Sequence, residues 1–335
     1  MEIVYFGTGS FGVPALEALL RAGHVVRACV SQPDRPSGRG RQVTPTPIHE
    51  AADRLGIPHF QTADVNADDP AHWARGAELG LVAAFGQKLG PGLLRTFPRG
   101  MINIHGSLLP RFRGAAPYQW AILRGETETG VTVFQLNERW DAGEIWSMAR
   151  TPIDPAETAD ELHDRLAQLG PAALLEALQS MQRGERPLVQ DAAQATRAPK
   201  LSKSDARLDF SQPAAAVAAR VRGLWSWPAA TCVYVGASAR RETLQLARAV
   251  EVGGPGDRPA HLPRDVSAPL PVDAAAPELS PPGAFCSDLT VSCGSGRIRL
   301  LEVRPTGGKL MAFRDFVNGR RVAPGDRLEQ PTDAS

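Results

Sequence analysis

Two polar residues stand two apart at the end of an apolar run: Asn103 and His105, in Asn103-Ile104-His105-Gly106-Ser107-Leu108-Leu109-Pro110-Arg111. Side chains alternate along an extended chain, so both project to one side and converge on one small group. An asparagine amide donates N–H bonds, and a histidine donates or accepts near neutral pH. Asp141, in Asp141-Ala142-Gly143-Glu144-Ile145, follows the next apolar run and is expected at the same sheet edge. These three types suit acyl transfer. The amide holds an oxyanion, the histidine moves or stabilises a proton, and the carboxylate orients and charges the histidine. Singly, each has a commoner explanation: a cap, a solvated loop histidine, an ordinary turn. The combination, with Ser107-Leu108-Leu109-Pro110 attached, is what carries specificity.

A second motif, Gly7-Thr8-Gly9-Ser10-Phe11-Gly12, follows a predicted strand and opens a helix. It fits the dinucleotide fingerprint, in which glycines admit a pyrophosphate to a helix N-terminus. That fingerprint wants an acid at the end of the next strand. Here the strand ends Ser31-Gln32-Pro33-Asp34-Arg35, with Asp34 beyond a proline and followed by arginines. The triplet therefore reads as a tight structural turn.

Elements that position these groups are visible as short apolar runs at 2–6, 25–30, 79–85, 101–104 and 131–136, with a helix near 116–123 between the last two. Alternation of this kind predicts a Rossmann-like α/β fold, doubly wound on a mostly parallel sheet, with ligands beyond the carboxyl ends of its strands. Leucines at helical spacing predict one long helix over 158–182. We expect a catalytic domain at 1–185, a polar linker at 186–205 and a second domain at 206–330. The second domain opens on an Ala/Val-rich helix at 214–224. Brief strands at 231–235, 243–249, 284–286, 289–293 and 297–303 then suggest a small OB-like antiparallel β-barrel. Residues 252–282 hold 8 of the 29 prolines and no periodicity, so they read as an extended insert between barrel strands.

Composition excludes several classes. The net charge of +1 means that a nucleic-acid partner would have to meet a local patch. Residues 206–330 carry four more basic than acidic residues, while 1–205 carry two fewer. The four cysteines lack the two-residue spacing of zinc or redox motifs. The sequence shows no signal peptide and no 18-residue apolar run, so a cytoplasmic location without membrane attachment is expected.

Residues 103–117, together with Asp141-Ala142-Gly143, resemble the signature of the folate-dependent formyltransferase family. The resemblance implies that Asn103, His105 and Asp141 are catalytic. It implies that Ser107, Leu108, Leu109 and Pro110 contact folate, that 10-formyltetrahydrofolate is the formyl donor, and that no metal takes part. Gln32-Pro33-Asp34-Arg35-Pro36-Ser37-Gly38-Arg39-Gly40 resembles the basic loop of the branch that formylates initiator methionyl-tRNA. Phe112-Arg113-Gly114-Ala115-Ala116-Pro117, Ala198-Pro199-Lys200-Leu201-Ser202-Lys203, Trp227-Pro228 and Pro305-Thr306-Gly307-Gly308-Lys309-Leu310-Met311 resemble further features of that branch. This resemblance implies tRNA contacts at Arg35, Arg39, Arg41, Lys200 and Lys203, and a chain that works as a monomer. Relatives that formylate glycinamide ribonucleotide or an amino sugar nucleotide, or that hydrolyse formyl-folate, are the alternatives. The chain departs from the family pattern at Gly9, where proline is usual, at Phe85, where tyrosine is common, and at Glu144, where aspartate is common.

Overall fold

The computed structural model describes residues 1–37, 42–236, 240–254, 257 and 280–331. Arg39, Arg41 and most of the insert at 252–282 lie outside the described residues. The chain groups into two compact units. One comprises Met1–Tyr118, Glu128–Pro152 and His163–Pro199; the other comprises Gln119–Thr127, Ile153–Leu162 and Lys200–Ser335. The polar stretch 186–205 divides between them after Pro199.

The first unit is built on seven strands: β1 (Glu2–Gly7), β2 (Val25–Ser31), β3 (His59–Gln61), β4 (Leu79–Ala83), β5 (Met101–His105), β6 (Glu128–Gln135) and β7 (Ile145–Pro152). Their order is β7-β6-β5-β4-β1-β2-β3. Pairing is parallel from β5 to β3, whereas β6 is antiparallel to both β5 and β7. Central strands covered on both faces read as continuous apolar runs, and Ile3, Val4, Tyr5 and Phe6 are all fully buried. On one face Phe6 meets Trp73 and Phe85 edge-on, at ring separations of 5.2 and 5.7 Å. Helix α1 (Val13–Arg21) buries Leu16 and Leu19. Helix α2 (Pro47–Leu55) starts on Thr46, whose hydroxyl accepts the His49 amide, and stops at Gly56 in the left-handed conformation.

The sequence reading missed β3 and β7. Both are edge strands of the sheet. An edge strand alternates buried and open positions, as β7 does, and so never shows the apolar run that reveals a central one. The helices expected near 116–123 and 158–182 appear as α3 (Pro117–Leu123) and α4 (Ala159–Gln182), and Leu162, Leu166, Leu174 and Leu178 of α4 are buried.

In the second unit β8 (Ala230–Val235), β9 (Arg241–Glu251), β10 (Val291–Ser292), β11 (Arg297–Pro305), β12 (Met311–Ala312) and β13 (Arg327–Glu329) pair throughout in the antiparallel sense. The order is β10-β11-β9-β8-β13, with β12 also on β11. Bridges from Ala284 to Arg327 and from Phe285 to Val291 join the two outer strands, so the sheet nearly closes into a barrel. Residues alternate inward and outward along β8, with Ala230, Cys232 and Tyr234 buried. Tyr234 donates to Asp326 at 2.6 Å and meets Phe316 of α6 (Phe313–Arg320), while α5 (Ala214–Gly223) supplies the short Ala/Val-rich helix. All four cysteines are buried and unpaired, and burial pushes the Cys29 thiol up to about 12.

Candidate active site

Strand β5 lies between β4 and β6, with Asn103 beside Val82 and Phe134, and His105 beside Thr132. Ile104 between them turns the other way and is buried. Asn103 and His105 open into one cavity of about 460 Å³, which Asp141 also lines. Among the described residues the Asn103 amide has no hydrogen-bond partner, which leaves its N–H bonds to a ligand.

The imidazole of His105 is nearly inaccessible and fixed. Its Nε2 donates to the Phe112 carbonyl at 2.9 Å. A carbonyl only accepts, so Nε2 keeps its proton and Nδ1 is the nitrogen free to exchange one. Phe112 aims its carbonyl from the left-handed region, with φ 61°, and its amide donates to Thr196 Oγ1 at 2.8 Å. His105 Nδ1 stands 3.9 Å from Asp141 Oδ2, too far for a direct hydrogen bond and suited to a bridging water. The same Oδ2 accepts the Gly114 amide at 2.8 Å.

Asp141 does not arrive by the route the sequence suggested. β6 runs antiparallel to β5, so its end lies beside the start of β5, with Ile102 opposite Gln135. The connection 136–144 folds back to bring the carboxylate to His105. Asp141 holds φ 48° to do so. Gly143 passes so close to the chain that an added Cβ would sit 1.7 Å from the Gln135 carbonyl oxygen. Both features explain Asp-Ala-Gly as a shape.

A residue the sequence reading had left in the linker braces this turn. Gln190 is buried, and its amide nitrogen donates to the carbonyls of Asp141 at 3.0 Å and Gly143 at 2.6 Å. Its oxygen accepts two bonds from Arg113, at 3.1 and 2.6 Å. Burial pulls the Arg113 guanidinium below its ordinary pKa, against the opposing field of Asp141. Gln190→Leu keeps the volume and breaks all four bonds. We expect turnover to fall about tenfold or more while the fold persists, since it misplaces Asp141 without removing it. Steady-state kinetics beside circular dichroism check this, and unchanged turnover sinks the brace.

The four expected folate contacts follow β5 directly. Ser107, Leu108, Leu109 and Pro110 do not line this cavity. Ser107 Oγ donates to the Arg111 carbonyl at 2.8 Å. The buried Thr132 hydroxyl donates to the Ser107 carbonyl and accepts the Leu109 amide, while Leu109 packs on Phe134 and Ile145. Pinned from behind, this turn carries the chain to Phe112. The cavity wall comes instead from 84–89, directly after β4, where Ala84 and Gly86 take positive φ. Binding beyond strand ends points to the end of β4 as well as that of β5. A further wall holds Phe11, Tyr118 and His163, with His163 centred 5.6 Å from Phe11 and 5.4 Å from Tyr118.

The glycine triplet is structural. The Thr8 and Gly9 amides donate to the Ala84 carbonyl at 3.2 and 3.3 Å, so they are not offered to a phosphate. Gly12 makes room for the Tyr5 hydroxyl, which donates to its carbonyl at 2.6 Å. Titration calorimetry with NAD or NADP is expected to show no binding in the micromolar range, and such binding would revive an oxidoreductase reading.

Arg35 is exposed and donates to Gln32 at 2.8 Å. Gln32 in turn donates to the carbonyl of Phe85 in the cavity wall. Next to Arg35, burial would raise the Asp34 carboxyl, but bonds from Gln61, His49 and the Thr46 amide hold it below the usual range. Lys200 and Lys203 are exposed, the latter opening a turn (Lys203–Ala206) capped by Ser202 and Asp205. Among the described residues no group of three or more His, Cys, Asp or Glu side chains is placed to hold a metal ion.

Comparison with known proteins adds to this geometry. Residues 1–178 match the formyl transferase family, and residues 200–321 match the formyl transferase C-terminal domain. The methionyl-tRNA formyltransferase of Heliobacterium modesticaldum is 40% identical, over 98% of this chain and 100% of that protein. That of Solibacter usitatus is 38% identical, over 98% of each. Among solved structures, HypX from Aquifex aeolicus in complex with tetrahydrofolic acid superposes with a TM-score of 0.60 at 15% identity, which speaks to the fold. It covers 99% of this chain, and the chain spans 50% of that larger protein.

Proposed function

Because the chain belongs to the methionyl-tRNA formyltransferase family, we infer that it carries a formyl group from 10-formyltetrahydrofolate to the amino group of initiator methionyl-tRNA. The product is N-formylmethionyl-tRNA for translation initiation. The observation that carries this reading is the meeting of Asn103, His105 and Asp141 in one cavity.

The attacking amine must be neutral. A free α-amino group titrates near about 7.7–8.0, so a useful fraction is neutral at physiological pH. Its nitrogen bonds to the formyl carbon, and the formyl oxygen becomes an oxyanion. The Asn103 amide donates to that oxygen. The Nδ1 of His105 is the mobile proton site, because Nε2 is committed to Phe112. Asp141 holds a water against Nδ1. As the carbon–N10 bond breaks, N10 leaves protonated, with the proton coming from the amine by way of Nδ1 and this water. Ser107, Leu108, Leu109 and Pro110 serve the donor by fixing the turn that aims Phe112.

The tRNA meets the chain at Arg35, Arg39 and Arg41 near the reacting end, and at Lys200 and Lys203. The positive surplus of 206–330 and the exposure of Arg35, Lys200 and Lys203 support this division, with chemistry in 1–205 and grip in 206–330. One copy suffices, since all three catalytic groups come from one unit. Among the described residues no helix is long and apolar enough to cross a membrane, and the reaction belongs in the cytoplasm.

The deciding experiment supplies purified protein with 10-formyltetrahydrofolate and, separately, charged initiator tRNA, charged elongator tRNA and glycinamide ribonucleotide. Formylation of the initiator species at the highest kcat/KM is expected. Comparable formylation of the small amine would assign the chain to another branch of the family.

A further inference from the structure

The acid next to Arg35 is turned away from it. Asp34 precedes a two-stranded ribbon, Arg35–Ser37 against Gln42–Thr44, with Arg35 opposite Thr44. The Asp34 carboxylate crosses the foot of that ribbon. It accepts the Thr46 amide at 3.0 Å and His49 Nδ1 at 3.1 and 3.0 Å. Thr46 caps α2 and His49 lies in its first turn, so the carboxylate clasps the ribbon to a helix. The His49 ring is itself held, stacked on His59 at a centroid distance of 4.2 Å.

Arg35 is held by a neutral group instead. Gln32 Oε1 accepts Arg35 Nη2 at 2.8 Å, and Gln32 Nε2 donates to the Phe85 carbonyl at 2.8 Å. A guanidinium only donates and a carbonyl only accepts, so the amide fits in one orientation. The chain leaves room for it: at Gly86, with φ 80°, an added Cβ would stand 2.5 Å from Gln32 Nε2. Phe85 lines the cavity together with Asn103, His105 and Asp141. Arg35 therefore stands one glutamine side chain away from the cavity wall. Among the described residues no carboxylate pairs with it, so the amide fixes its direction and leaves its charge uncompensated.

We propose that Gln32 is a positioning residue for the acceptor: it holds Arg35 at a set reach from the reacting groups, while the Asp34–His49 clasp keeps the ribbon from swinging. A cation placed before binding does not have to be ordered by it. A phosphate of the acceptor end then meets a charge whose distance from the formyl site is fixed by the fold. This inference rests on Arg35 meeting the tRNA.

The test follows charged initiator tRNA in the transfer assay and tetrahydrofolate by calorimetry, for Gln32→Leu, Arg35→Ala and the double variant. Gln32→Leu removes both amide bonds and still leaves the Phe85 carbonyl satisfied, because the Thr8 hydroxyl donates to it at 3.0 Å. Folate affinity and kcat at saturating tRNA are therefore expected to stay unchanged. The KM for charged tRNA should rise about two- to tenfold, the cost of ordering one free arginine side chain. The double variant should match Arg35→Ala alone, because a group that acts only through Arg35 adds nothing once Arg35 is gone. At the clasp, His49→Asn places an amide N–H where Nδ1 stands, and it should keep the KM that His49→Leu raises. Equal KM values in those two variants remove the clasp from the proposal. An unchanged KM in Gln32→Leu or Arg35→Ala, or additive effects in the double variant, overturns it. So does a loss of folate affinity in Gln32→Leu as large as the rise in KM, which would make Gln32 a support of the cavity wall. If the unaltered protein fails to formylate charged tRNA, the functional reading itself falls, and this inference with it.

Discussion

Alanine at Asn103 or at His105 lowers turnover by at least about two orders of magnitude, while donor affinity stays within severalfold. Loss of one oxyanion donor typically costs about 3–4 kcal/mol, or on the order of 100- to 1,000-fold in rate. Among the described residues the Asn103 side-chain amide makes no hydrogen bond, so its removal leaves its described neighbours satisfied and the loss falls on the transition state. His105→Ala does more. It removes the proton site at Nδ1 and strands the buried Phe112 carbonyl that Nε2 had satisfied. An orphaned acceptor costs about 1–3 kcal/mol of stability. The two variants should therefore be alike in kcat and different in thermal midpoint, with His105→Ala the less stable. Stopped assays with charged initiator tRNA, together with calorimetric folate binding, separate these effects. Near-normal turnover in either variant removes that residue from the mechanism.

A single methyl group at Gly143 has an effect of similar size from outside the chemistry. Its Cβ would stand 1.7 Å from the Gln135 carbonyl oxygen, a backbone atom that the β6–β7 pairing holds in place. The loop must move, and with it the Asp141 carboxylate and the Gln190 brace. Gly143→Ala should cost more than about 3 kcal/mol of stability and lower turnover by roughly 100-fold or more. Gly92→Ala serves as the control. Nothing lies within 4 Å of the added carbon there, the residue sits in the short helix Pro91–Leu94, and alanine favours that state. Full activity and an unchanged midpoint in Gly143→Ala would show that the turn tolerates another shape.

Sequence made some of this site legible and hid the rest for identifiable reasons. Asn103 and His105 were readable because strand alternation is local, and two residues decide which face they share. Asp141 was readable as a residue, while its route was not. Strand direction depends on the partner chosen, and the antiparallel turn of β6 brings the group back through a loop. Gln190 gave no local signal. A buried glutamine amid polar neighbours looks like any linker residue until its four bonds to Arg113, Asp141 and Gly143 are known. The glycine triplet misled in the opposite sense. Its spacing matches a phosphate cradle, and only the neighbouring Ala84 carbonyl shows that the amides are taken. In the second unit, the strands expected at 284–286 and 289–293 had the right place and too much length. They survive mainly as single bridges and the two-residue β10.

The Gln190 brace also bears on how the site comes into being as the chain is made. Asn103, His105 and Asp141 leave the ribosome first, but Gln190 follows Asp141 by 49 residues. Thr196, which holds Phe112, and Ala198, which pairs with Gly114, follow later still. At about 5–20 residues per second, several seconds pass between the three groups proposed to act in transfer and the residues that fix them. During that interval the sheet has all its strands while the Asp141 turn and the Phe112 carbonyl lack their anchors. A nascent chain halted near residue 185 would hold Asn103, His105 and Asp141 and no finished site.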